Sequence, residues 1–136
     1  IEQDGEKLRA ELGDEGAERV LPMRDLIDAG VHVSLATDNV PPTLLLPISH
    51  VVTRKTDAGR PLGASQAISR IEALAAASRE GAYLSFEEDV KGTVEPGKYA
   101  DLAILSEDVL TCPEDQIAGI RSVATITGGR VVHEEG

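Results

Sequence analysis

Val31-His32-Val33-Ser34-Leu35-Ala36-Thr37-Asp38-Asn39 is the stretch on which the fold turns. Val31, Val33 and Leu35 alternate with His32, Ser34 and Ala36, which predicts a strand with one branched apolar face and one small or polar face. Asp38 keeps the parity of the second face. Such a strand belongs in a parallel sheet or barrel, where the residues at strand C-termini face the active site. If the sheet closes into a barrel, the His32 face points inward and Asp38 stands at the mouth of the lumen.

Reading outward, Pro22 suits the first turn of a helix over Met23 to Ala29, with Gly30 as its stop. Leu26, Ile27 and Ala29 are its expected buried face. Further upstream, Glu2 to Leu12 predicts a short exposed helix, and Asp14 is placed to cap a second one through Ala17 to Val20. Downstream, Pro41, Pro42 and Pro47 mark a loop, followed by a helix through His50, Val51, Val52 and Arg54. Residues 57–61 read as a surface loop. Ser69 and Glu72 have the spacing of a capping box. The helix they open places Ile71, Leu74, Ala75, Ser78 and Ala82 on one face, and its alanines allow close approach to a neighbour.

After about Glu88 the pattern changes to short strands. Glu95-Pro96-Gly97-Lys98 predicts a type II turn. Asp101 precedes a short buried strand, Leu102 to Leu105. Val123 to Thr127 and Arg130 to His133 flank Gly128-Gly129, a two-residue hairpin signal. The chain is expected to end in a small antiparallel unit.

Composition bounds the function. The chain has 136 residues, against roughly 250 for a complete (β/α)8 barrel. It carries 13 Lys and Arg against 24 Asp and Glu, for a net charge of −11. That balance argues against nucleic-acid or anionic-membrane partners, which need clustered cations. Aromatics are only 2% of the chain, so aliphatic side chains must fill the core. Cys112 is the only cysteine; no internal disulfide is possible, and a cytoplasmic setting is expected. No apolar run approaches the ~18 residues of a membrane helix. The first residue is Ile rather than Met, as in a truncated chain.

Taken together, these segments resemble a known family. Residues 22–31 leading into Ala36-Thr37-Asp38 resemble the last βα unit of the amidohydrolase superfamily. Glu72 through Ala82, then Lys91-Gly92-Thr93-Val94-Glu95-Pro96-Gly97-Lys98-Tyr99-Ala100-Asp101-Leu102, is similar to its C-terminal passage. Residues 124–132 resemble its closing hairpin. Within the superfamily the chain looks most like the branch of N-acyl-D-amino-acid deacylases and long-chain amidohydrolases. The resemblance implies a (β/α)8 barrel followed by a small β-sandwich with strands from both ends of the full chain. It also implies zinc or another divalent metal, held by a His-x-His pair, a bridging carboxylated Lys or acid, two later His residues and an Asp after strand eight. Only that Asp carries over, to Asp38, as metal ligand and catalytic proton acceptor. This chain has no His-x-His pair, and a catalytic zinc needs about three protein ligands; the isolated chain is expected to be inactive and to hold no metal firmly.

Each residue also has a plainer reading. Asp38 could cap the turn that leaves the strand. His32 fits structural filler and His133 the surface; His50 lies on the helix after the loop, where lining a substrate pocket is the lesser of its readings. Asn39 suits a turn. Gly92 to Lys98 has the spacing of a phosphate loop, but Tyr99 stands where Ser or Thr is required and a strand follows, so that reading fails. Cys112, beside Pro113, Glu114 and Asp115, lacks the cationic surroundings that activate thiols.

The expectation is therefore an α/β chain: residues 1–90 as the end of a barrel and 91–136 as strands of the sandwich. The parent would hydrolyse amide or N-acyl C–N bonds of a small molecule with metal-activated water. The alternative is a non-catalytic module that self-associates into a homo-oligomer through unpaired strand edges.

Overall fold

The computed structural model describes residues 4–37 and 43–136. Among the described residues, five α-helices precede a three-stranded sheet: α1 (Gly5–Glu18), α2 (Met23–Asp28), α3 (Leu45–Thr53), α4 (Arg70–Ala77) and α5 (Arg79–Leu84), then β1 (Leu102–Leu105), β2 (Ser122–Thr127) and β3 (Arg130–Glu134). The sheet is antiparallel in the order β1-β2-β3. The chain is thus α/β. No described helix is long and apolar enough to cross a membrane.

The local devices form as the sequence predicts. Ser69 and Glu72 make the reciprocal capping box that opens α4. At the end of α2, the Gly30 amide donates to the Ile27 carbonyl and the Val31 amide to the Leu26 carbonyl. With Gly30 at φ +75°, this is the paired closure that satisfies the last free carbonyls of a helix. Gly97 has φ +95° and the Lys98 amide reaches the Glu95 carbonyl at 3.2 Å, a type II turn. Gly128 and Gly129 are both left-handed and join Thr127 to Arg130. The Asp101 carboxylate accepts the Gly128 amide at 2.7 Å and so ties the hairpin to the start of β1.

Other expectations are corrected. Val31 to Thr37 is neither strand nor helix. A strand is defined by its neighbours, and among the described residues this segment has none. Its alternation nevertheless persists: Val33 and Leu35 pack on the core, while His32, Ser34 and Ala36 are exposed. The long helix after Ser69 is two helices, broken at Ser78, whose hydroxyl donates to the Leu74 carbonyl. The buried face of α4 is Ala73 and Ala76, not Ile71, which is 70% exposed. Those alanines do allow close approach, because the Leu35 amide reaches the Ala76 carbonyl at 3.0 Å. Met23, not Ala29, is the buried residue of α2. In α1, Gly13 is non-helical and Asp14 pairs with Arg9; no cap by Asp14 forms. β1 is only half covered, with Ile104 exposed.

One core cluster joins Met23, Ile48, Val51, Ile68 and Ala73 to Val109, Cys112, Ile117 and Ile120. The stretch from Val109 to Ile120 therefore leaves the sheet and returns to pack on α3. The largest wholly buried side chain is Arg54, at 0% exposure. The sequence places it in the α3 helix; in fact it is the left-handed cap at φ +54°. Its Nε donates to the carbonyls of Leu62 and Gly63 at 3.0 Å, Nη1 to Leu21 at 3.2 Å, and Nη2 to Val20 at 2.5 Å. Desolvation pushes its pKa down, opposed by the nearby Glu18 carboxylate.

Arg54→Met should leave several carbonyls without donors and cost about 3 kcal/mol, the scale for unpairing a buried hydrogen-bonded group. Arg54→Lys should recover only part of this, since an ammonium lacks the planar fork. Urea unfolding of the three proteins measures both. For the capping box, Ser69 and Arg24 hold the Glu72 carboxyl down from 4.5 to about 2. Its stabilisation should be complete above pH 4.5 and disappear as pH falls through about 2. Glu72→Ala should cost about 1 kcal/mol at neutral pH and flatten that acid dependence, as read by thermal melts.

Candidate functional site

The candidate site lies at the C-terminal end of the Val31–Thr37 segment. The start of the segment shares a cavity with Ile27 and Gly30 at the end of α2, and its last residues share one with Leu21 and Met23 at the beginning, so the segment runs back along α2. There a cleft of about 290 Å³ is lined by Leu21 and Met23 from the start of α2, by Ser34, Ala36 and Thr37, and by Leu46, Pro47 and His50 of α3. The lining is mostly apolar, with two hydroxyls and one imidazole. His50 thus lines this cleft, the less favoured of its two readings from sequence.

Asp38 and Asn39 fall among residues 38–42, outside the described residues. What can be placed is the residue before them: Thr37, on the rim of the cleft. Among the described residues, no group of three or more His, Cys, Asp or Glu is arranged to hold a metal ion. The three histidines are dispersed. His133 is exposed on β3, as expected.

His32 lies in a different setting from the filler that its sequence suggests. It occupies the other end of the segment, where Nδ1 lies 2.6 Å from Oε2 of Glu80. Its ring stacks on Tyr83 with centroids 3.9 Å apart and planes 19° apart. The Glu80 carboxyl is held below its ordinary range, chiefly by the His32 hydrogen bond and then, against some desolvation, by Arg79. Sequence spacing carries no trace of this cluster, because Glu80 is 48 residues from His32.

Cys112 also differs from expectation. Arg70 Nη1 approaches its sulfur at 3.8 Å while donating to the Val109 carbonyl at 3.0 Å. A cation is therefore present, but the thiol is buried in the core and out of reach of a substrate. The Gly92–Lys98 passage is structural as well. Lys98 Nζ donates to the Glu88 carbonyl and the Thr93 hydroxyl, both at 2.7 Å, and pairs with Glu95. Its ammonium is satisfied from within the loop and is not displayed to a phosphate.

Comparison with known proteins fits this picture. The amidohydrolase family matches residues 4–133. An N-substituted formamide deformylase from Arthrobacter pascens is 32% identical over 119 residues, covering 85% of this chain and 22% of that protein. The chain thus spans about a fifth of the length of this relative. No solved structure matches. With nearly every described element inside the matched region, from α1 to β3, this chain belongs to the amidohydrolase family.

Proposed function

We propose that this chain forms the C-terminal part of a barrel hydrolase, with residues 1–90 closing the barrel and 91–136 contributing strands to a β-sandwich. The observation that carries this reading is the two-faced Val31–Thr37 segment. Its apolar side rests on the helical core while its small polar side stays open, the division expected of a barrel strand without its neighbours. The family membership and the relative's name support an N-acyl C–N bond as the substrate, a substituted formamide being the smallest case.

The described residues of this chain do not fit a metal ion by themselves. In the parent, Asp38 would be one ligand and the rest of the protein would supply the others. A divalent ion held there would lower the pKa of water towards neutrality. The part belonging to this chain is simpler. The segment delivers the Asp38 carboxylate to the mouth of the barrel, where it orients the attacking water and accepts its proton. Water oxygen adds to the acyl carbon, the C–N bond breaks, and the proton passes to the departing amine. Ser34, Thr37 and His50 line the cleft at the end of the described segment and would orient the substrate.

In the full-length protein, Asp38→Ala should lower kcat by at least about a thousandfold on an N-formyl amine while leaving the thermal melt nearly unchanged. Retention of more than a tenth of the activity would remove Asp38 from the chemistry. The 136-residue chain alone should show no turnover and no stoichiometric zinc in equilibrium dialysis.

A second reading has its own observation. Val131 and Val132 on edge strand β3 are both more than half exposed, and the outer edges of β1 and β3 have no partner among the described residues. Such edges favour association. Under this reading the isolated chain forms homo-oligomers by light scattering, whatever its catalytic status, and a stable monomer would count against it.

A further inference from the structure

We propose that His32, Glu80 and Tyr83 form a proton-dependent latch that fixes the N-terminal end of the Val31–Thr37 segment against α5. The segment has little else to hold its backbone. Among the described residues, its main-chain bonds are Val31 to Leu26, which closes α2, and Leu35 to Ala76. Between them lies His32, with Nδ1 at 2.6 Å from Oε2 of Glu80 and its ring flat against Tyr83.

The surroundings give the latch its direction. The Glu80 side chain is only 12% exposed, and its other oxygen accepts from Arg79 Nε at 2.9 Å. Two further charges face the same corner. Glu72 of α4 lines the adjoining cavity of about 280 Å³, and Arg24 of α2 is paired with Glu72 and Asp28. Arg24 is thus neutralised by its own carboxylates, and His32 is the group that answers the second oxygen of Glu80. Protonated imidazole facing ionised carboxylate makes a charge-assisted bond, roughly twice as strong as its neutral counterpart. The latch is therefore strongest while the Glu80 carboxyl is ionised and the His32 imidazole carries its proton, and it weakens when that proton is lost. This inference goes beyond the hydrolase reading and can hold or fail without it, because its readout is the segment itself.

The test is NMR on the ¹⁵N-labelled 136-residue chain. The His32 ring is titrated between about pH 5 and 8, the range in which imidazoles change charge, in the parent and in Glu80→Gln. Exchange protection of the Leu35 amide, corrected for intrinsic rates, is followed over the same range in the parent and in His32→Gln. The latch predicts a lower titration midpoint for His32 in Glu80→Gln. It also predicts a Leu35 amide that loses about threefold protection as pH rises, with that dependence abolished in His32→Gln and the Ile48 amide of α3 unaffected. An unchanged His32 midpoint in Glu80→Gln, or Leu35 protection indifferent to pH, would overturn it; the parent titration needs no variant to fold.

Discussion

The fold depends on one buried guanidinium. Arg54 sits at 0% exposure and donates to carbonyls from two separated stretches, Val20 with Leu21 and Leu62 with Gly63. A lone cation in such a place would carry a heavy desolvation cost. Four carbonyl dipoles offset it, so the charge is stable only while the entry to α2 and the loop after α3 converge on it. The backbone bears the strain of that convergence. Leu21, Arg54 and Gly63 are all left-handed, at φ +52°, +54° and +63°. A Cβ at Gly63 would lie 2.5 Å from Arg54 Nη2 and 3.0 Å from the Glu18 carbonyl, so neither the conformation nor the space admits another residue. Leu21 and Met23, fixed by this arrangement, are also walls of the candidate cleft.

What could be read in advance divides by range of interaction. The capping box at Ser69, the stop at Gly30, the Pro96-Gly97 turn and the Gly128-Gly129 hairpin are decided within four or five residues, and the sequence pattern contains all of that information. Arg54 could not be recognised, because its partners lie 8, 9, 33 and 34 residues away. An arginine in the last turn of an apolar helix reads as a solvated charge. The face of α4 was misplaced for a related reason. Ile71 is the larger apolar group, but the Leu35 amide must reach the Ala76 carbonyl, and only the alanine side admits a backbone so close. The helix rotates to offer Ala73 and Ala76, which leaves Ile71 outside.

The passage from Lys91 to Leu102 was legible as a family mark but not as chemistry, and the structure supplies the physical reason for its residue choices. Pro96 and Gly97 set the turn; Lys98 gathers the Glu88 carbonyl, the Thr93 hydroxyl and the Glu95 carboxylate; Asp101 holds the hairpin through the Gly128 amide. Each side chain satisfies a polar group that the irregular backbone would otherwise leave to solvent. The loop between helices and sheet thereby acquires one shape without a hydrophobic core of its own.

The candidate site was legible to the same limited depth. The alternation in Val31–Thr37 predicted two faces, and two faces exist. The same alternation could not predict a strand ladder, because ladder bonds belong to a neighbour and not to the segment. A segment with its apolar side seated on the core cluster and its polar side open is already positioned without being paired. Positioning and chemistry are thus separable here. The helical core fixes where the segment up to Thr37 lies, while the described residues bring together no group of three or more His, Cys, Asp or Glu that could hold a metal ion. The chain spans 22% of the relative it matches, and among its described residues the three histidines are dispersed. Selection on this part of the sequence would then act first on the packing that seats the segment, and the residues most resistant to change would be Arg54, Gly63 and Ala76 rather than the histidines.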